Sequence, residues 1–336
     1  MALVPDLVAE LGAQRAALDT ELDLLGLRVA VAGTHPFTEW HHTVVGDGQR
    51  QRDVYGSMRE LARREPTFAL HVHVGIDDPE DATRVANRMR AHLPMLLALS
   101  ANSPFWQGRD TGLASARTPL FQAFPRVGIP RAFAGYEDYV EVLDLLLRCD
   151  AFADPTFLWW DLRLQPKLGT VEIRIMDAQS RVDDVGPLVA LVQSLVRLEL
   201  EEGYVSNQLA SSPEVLDENR FLAARDGVSA EFVDPDAERR VALTEQLAPL
   251  LEACADHATD LGCRDELRGV AELAAHPPAG RQLRLARQSN RLAGPRREPG
   301  RAVRRRRHPG GCRPRVLMAR RTCGSNLRGP ATEGVV

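Results

Sequence analysis

Cysteine is scarce in this 336-residue chain. The five cysteines (Cys149, Cys254, Cys263, Cys312 and Cys323) are scattered with no CxxC pair, which argues against a zinc ribbon or a disulfide framework. Lysine is scarcer still: Lys167 stands alone against 41 arginines, a bias that points to a GC-rich coding sequence. Long apolar runs are missing. The most apolar stretch, Leu93 to Ser100, is short and interrupted by Pro94, so no membrane-spanning segment is expected. No basic, then apolar, then small-residue pattern opens the chain. A signal peptide is therefore not expected, and the cytoplasm is the default compartment. GxSxG, Walker A and a GxGxxG after a strand are also absent, so nothing points to a nucleophile elbow, a P-loop or a dinucleotide site.

What is present is ordinary for a soluble globular protein: 44% hydrophobic and 26% charged residues. The net charge of −4 hides a division. Residues 281–336 hold 16 Arg and no Lys against Glu298 and Glu333, whereas residues 1–280 hold 26 basic and 44 acidic side chains. A boundary is therefore expected at 280. Three readings of the segment beyond it stand side by side. It is a disordered basic tail with little to form a core, a frameshifted reading of GC-rich DNA, or a nucleic-acid arm acting through phosphate contacts.

Leu7, Leu11, Leu18, Leu22 and Leu25 recur at helical spacing, and Gly26 follows as a cap. Leu27 to Ala32 and Phe68 to Gly75 read as strands, with a turn over residues 33–37 and a helix over 52–64. A helix is expected from Asp77-Asp78-Pro79 to about Ser100, bent at Pro94. The irregular stretch Asn102 to Phe133 carries Phe105, Trp106, Phe121 and Phe124, which favours an ordered, functional loop. A helix over Tyr136 to Cys149 precedes a hairpin of Leu158–Leu164 and Thr170–Ile175, then a helix over Asp183–Glu202 closed by Gly203. After a loop to about Pro235, helices are expected over Glu238–Leu261 and Arg264–Ala275, the last stopped by Pro277-Pro278. The mixture lacks a βαβ rhythm, so the expected class is α+β with an antiparallel sheet.

Alternation along a strand puts His71 and His73 of LHVHVG on one face and Leu70, Val72 and Val74 on the other. Two imidazoles so placed can bind metal or hydrogen-bond anionic oxygens; equally, they can be structural. In GTVEIRIMD, Glu172 and Arg174 share a face. The carboxylate can hold Mg²⁺ and the guanidinium can grip a phosphate, a pairing suited to phosphoryl transfer; an exposed cross-strand ion pair is the plain alternative. In WWDLR, Asp161 and Arg163 share a face with Trp159. The loop ALSANSPFWQGRDTGLASAR offers Asn102, Ser103, Asp110, Ser115 and Arg117, enough to wrap a small polar substrate. A zinc hydrolase built on His71 and His73 lacks a third ligand.

The words GTHPF, HVHVG, LSANSPFWQG, DTGLASAR, WWDLR, GTVEIRIMD and ENRFLAARDG occur in this order over roughly residues 5–275. In that order they resemble the successive motifs of the bacterial type-two glutamate–cysteine ligase family, the carboxylate–amine ligases. The resemblance implies a glutamine-synthetase-like fold, a curved antiparallel sheet with helices on the outside, occupying residues 1–280. It implies ATP and Mg²⁺ as cofactors and an acyl phosphate made from glutamate or another carboxylate, attacked by cysteine or another amine. Carried over by position, the resemblance implies that His73 is a metal or phosphate ligand and Glu172 a metal ligand, with His71 a further metal ligand near them. Arg174 holds the transferring phosphoryl group, Arg117 and Ser115 bind the amino-acid substrate, and Asn219 lies near the site as a further substrate-binding residue. The expected partners are small molecules, with neither membrane nor nucleic acid, and a homodimer is an allowed assembly.

The sequence departs from the family pattern at both ends. The GxExE strand that opens the family and the acidic motif after it are not found, since Met1-Ala2-Leu3-Val4-Pro5 already leads into the first long helix. The resemblance stops near Pro278. The expectation is a sheet with an exposed edge, weak metal affinity, and little ligase turnover by these residues alone; the alternative is a catalytically impaired remnant that binds nucleotide or amino acid.

Overall fold

Residues 3–64 and 67–289 are described by the structure, a computed structural model. Helix α1 (Val4–Asp23) has Pro5 and Asp6 in its first turn and buries Val4 and Leu22. It closes at Gly26, whose φ of 67° is the left-handed conformation open to glycine. The Gly26 and Leu27 amides donate to the Asp23 and Leu22 carbonyls at 2.9 Å each. Residues 27–32 then run without regular structure, which corrects the strand expected there: no ladder pairs them among the described residues. Helix α2 (Gln49–Met58) continues into a 3₁₀ segment, Arg59–Arg64.

Strand β1 is Val72–Gly75, shorter than the expected Phe68–Gly75 because residues 68–71 keep only a bridge at Ala69 to Asp177. Helix α3 (Pro79–Met89) is capped by Asp78, which accepts from the Asp81 amide at 2.9 Å. The chain bends through a 3₁₀ turn, Arg90–His92, into α4 (Leu93–Ser100). The bend falls where Pro94, lacking an N–H, would interrupt a continuous helix. The long loop is ordered, with β2 (Phe105–Trp106), β3 (Arg109–Asp110), α5 (Arg117–Phe121) and β4 (Val127–Gly128). Helices α6 (Tyr136–Arg148) and α7 (Val185–Glu201) follow as expected. The expected strand Leu158–Leu164 is instead split into β5 (Trp159–Trp160), outside the hairpin, and β6 (Leu162–Gln165), and its partner β7 (Thr170–Ile173) stops short of Ile175.

The expected loop up to Pro235 is instead α8 (Asn207–Ala210), α9 (Pro213–Asp226) and β8 (Glu231–Asp234). Helix α9 hid from apolar periodicity because its buried face includes Asn219 and Arg220 beside Leu216, Leu222 and Ala223. Residues 239–242, expected to be helical, form β9 (Arg239–Ala242), paired with β8, so α10 begins later (Leu243–Asp260). Helix α11 (Arg264–Ala275) is followed by α12 (Pro278–Ser289), which Pro278 starts rather than blocks. The boundary expected at 280 therefore falls inside a helix. Arg281 is ion-paired with Asp184, and Gln282 donates to the Asn102 carbonyl at 2.8 Å. The rest of the expected tail, residues 290–336, lies outside the described residues.

The fold is α+β. Its main sheet has the order β1-β7-β6, wholly antiparallel, while β4 and β5 form a separate parallel pair. Register decides what each face carries. Val72, Ile173 and Leu162 form one row, and Val74, Val171 and Leu164 another. These rows face α3 and α7. Behind them Leu188, Leu191, Leu195 and Leu198 of α7 are fully buried among α1, α3, α10 and α11, so the helical layer is more than one helix deep. Each such side chain contributes about 1.5–3 kcal/mol through burial. No helix among the described residues is long and apolar enough to cross a membrane.

Candidate functional site

The opposite face of the sheet carries His73, Glu172 and Arg163 in one row, with Thr170 and Gln165 in the next. Glu172 is 2% exposed, yet five side chains crowd its carboxylate. Oε2 accepts from Arg163 Nε at 2.6 Å and Gln165 Nε2 at 2.7 Å. Oε1 accepts from Arg174 Nη1, with His71 Nδ1 at 3.2 Å and His73 Nε2 at 3.5 Å. His73 Nδ1 lies 3.0 Å from the Thr170 hydroxyl, which holds the ring in the sheet.

Burial opposes ionisation of Glu172, but hydrogen bonds from His71 and His73 and the charges of Arg174 and Arg163 outweigh it. The carboxyl stays well below the usual carboxylate range. Burial, then Arg174, lowers His71 to about 4, so it is neutral at physiological pH. Burial lowers Arg174 to about 10 against the attraction of Glu172, which leaves it charged.

His71 and Arg174 also line a cavity of about 630 Å³, together with Arg15 and Arg117. Its other wall is apolar, with Leu11, Leu18, Val31, Phe68, Phe121 and Trp159. No Asp or Glu is among the described residues lining it. Glu172 and His73 sit behind the cavity wall and position the groups that reach it. Three guanidiniums and no carboxylate suit an anion such as a phosphate or a carboxylate. They do not suit Mg²⁺. The Glu172 carboxylate behind His71 and Arg174 has both oxygens occupied by N–H donors, and flanking arginines repel a dication. The metal-ligand roles expected for His71, His73 and Glu172 therefore do not fit the arrangement of the described residues.

Arg117 is placed differently from the expectation of a free substrate clamp. Its Nη atoms donate to the carbonyls of Ile175 (2.8 Å) and Arg174 (3.2 Å), and Asp177 partly offsets its charge, so a buried, unpartnered Nε is what remains. Ser115 is fully buried and does not reach the cavity. It donates to Asp177 Oδ1 at 3.1 Å. Asp177 also accepts from the Ser103 hydroxyl (2.6 Å) and the Asn102 amide (2.8 Å), with Arg117 Nη1 at 3.6 Å. A Cβ on Gly33 would lie 2.6 Å from the Asp177 carboxyl carbon. Segments GTHPF, LSANSPFWQG, DTGLASAR and GTVEIRIMD thus converge on one buried carboxylate. Asn219 belongs elsewhere. It clamps Val233 by two backbone hydrogen bonds (2.7 and 2.9 Å) and lines a separate cavity of about 380 Å³.

Sequence reasoning passed over Arg15, Gln165 and the buried Asp161–Arg220 pair (Nε–Oδ2 2.5 Å). The hairpin turn at residues 165–169 carried a usable signal, since extending its pairing sets Arg163 opposite Glu172. Arg15 had none, because it is a polar position on a helix read through its leucines.

A family model described as Glutamate-cysteine ligase family 2 matches residues 3–303, so the likeness runs past Pro278, where it was expected to stop. A Rubrobacter xylanophilus protein named as a proposed glutamate–cysteine ligase 2-1 is 40% identical over 262 residues, covering 77% of this chain and 69% of that protein. A Thermobifida fusca protein named as a proposed glutamate–cysteine ligase 2 is 38% identical over 294 residues, covering 86% and 73%. Among solved structures, a bifunctional glutathione synthetase from Pasteurella multocida is similar in fold, with TM-score 0.54 and 13% identity over 77% of this chain and 40% of that one.

Proposed function

Because this chain belongs to glutamate–cysteine ligase family 2, we propose that it is an ATP-dependent carboxylate–amine ligase whose anion site is the cationic end of the cavity. The observation that carries this reading is the Arg15, His71, Arg117 and Arg174 wall, backed by Glu172 and free of carboxylates among the described residues. We read the three-stranded sheet as part of the curved sheet of glutamine-synthetase-like enzymes, working in the cytoplasm.

In this reaction an oxygen of the acid substrate, glutamate or a relative, attacks the γ-phosphorus of ATP and ADP leaves. The amine of cysteine or another amino compound then attacks the acyl carbon, phosphate leaves and the amine gives up a proton. Arg174 holds the transferring phosphoryl group, its guanidinium oriented by Glu172. Neutral His71 offers a hydrogen bond without adding charge. Arg117 contributes charge from behind, and the apolar wall excludes water. Magnesium, when bound to ATP, would neutralise its phosphates, although the described residues do not fit a protein-held ion.

The test is ADP release with a panel of acids and amines. The expected result is release that depends on both substrates and falls about 10²-fold or more in Arg174→Ala, the scale of losing one stabilising donor. ATP binding without such release would instead support a binding protein of the same fold.

A further inference from the structure

We propose that Glu39, His41 and His42 form an open site for one transition-metal ion of the zinc class. They lie on and just before the 3₁₀ turn Trp40–His42. One carboxylate oxygen and two imidazole nitrogens, one atom from each residue, lie within 4.8 Å of one another. His41 Nε2 is 3.1 Å from Glu39 Oε2, and the His41 and His42 ring centroids are 4.2 Å apart.

This convergence is not what the backbone alone supplies. Neighbouring side chains on a helix of three residues per turn diverge by about 120°. Packing holds the turn. The Arg64 guanidinium lies 5.2 Å over the Trp40 ring, and the two histidine-bearing residues follow that anchored tryptophan. The His41 ring meets Trp40 edge-on at 6.0 Å.

Ligand choice follows from the donors. A tetrahedral ion with bonds of about 2.0–2.1 Å needs its N and O donors roughly 3.4 Å apart. The present spacings, 3.1 Å for His41 Nε2 to Glu39 Oε2 and within 4.8 Å for all three donors, are on that scale. Two imidazoles and one carboxylate suit zinc and its neighbours in the first transition row, whereas magnesium favours oxygen donors. Three protein ligands leave a fourth position for water or an outside ligand. All three residues are exposed, so the ion can enter from solvent. None of them lines the cationic cavity, so the site stands independently of the ligase reading.

The test is a zinc titration of the full chain against a chromophoric chelator, with Co²⁺ visible absorption as a second readout. One equivalent should bind, and His41→Asn and His42→Asn should each weaken it. Residues that merely support a ligand change affinity by roughly 10–100-fold, so losing a ligand should weaken binding at least about tenfold. Circular dichroism should show both variants folded, as their positions are exposed. Unchanged affinity in either variant overturns the proposal, including the case in which zinc binds elsewhere on the chain.

Discussion

Glu172→Gln should destabilise the protein by about 3–5 kcal/mol, the scale for leaving buried charges without their partner. The substitution keeps the shape but removes the charge that Arg163 and Arg174 share, and both arginine side chains are only 11% exposed. It also turns one acceptor into an N–H donor facing another donor. Urea unfolding should show a lower midpoint at an unchanged slope. A loss under about 1 kcal/mol would mean that water reaches these arginines and that Glu172 does not organise them.

The same cluster fixes the sign of the pH dependence. The Glu172 carboxyl is held below its ordinary 4.5, so its stabilisation is present above that pH and is lost as pH falls. His71 titrates at about 4 in the folded state against an ordinary 6.5. Between those values the unfolded chain binds the extra proton, so stability rises with pH across that window. Both groups therefore make the fold acid-labile, and Glu172→Gln should remove the part that falls below about pH 4.5.

Asp177→Ala should cost a similar 3–5 kcal/mol or so, because Asn102, Ser103, Ser115 and Arg117 all lose their shared acceptor. Asp177→Asn should cost less, about 1–3 kcal/mol. The contrast with Glu172 has a physical cause. Burial is the largest influence on Asp177 and pushes its carboxyl up, against the pull of Arg117 and the hydroxyls, so its charge is held at a cost. At Glu172 burial acts the same way but the histidines and arginines outweigh it, so a neutral isostere relieves a net cost at Asp177 and loses a net stabilisation at Glu172. Equal losses in Glu172→Gln and Asp177→Asn, measured by denaturation, would contradict this account of the two carboxylates.

How far the sequence could be read depended on where polar residues sit. Strict alternation made LHVHVG and TVEIRIM legible as strands with one polar face, and the structure sets His73 opposite Glu172 in register. Alternation cannot say which polar groups reach solvent. It therefore missed that Arg174 and His71 line the cavity while Glu172 and His73 support them from behind. Helix α9 was invisible because Asn219 and Arg220 face inward, where a periodic reading expects apolar residues. Ser115 and Arg117 were recognisable as chemically able, but their commitment to Asp177 and the strand carbonyls depends on contacts 57–62 residues away. No local pattern encodes such contacts. Residues 27–32 have strand-like composition yet no ladder among the described residues, and pairing, not propensity, makes a strand.

The central claim is that the His71–Arg174 end of the cavity binds the anionic part of ATP. Isothermal titration calorimetry with ATP on the full chain, compared with Arg174→Ala, tests it most directly. The account predicts measurable binding that Arg174→Ala weakens by about 1.5–3 kcal/mol, the scale of a charged hydrogen bond, with His41→Asn leaving it unchanged. ATP affinity that is the same in the parent and in Arg174→Ala would contradict it.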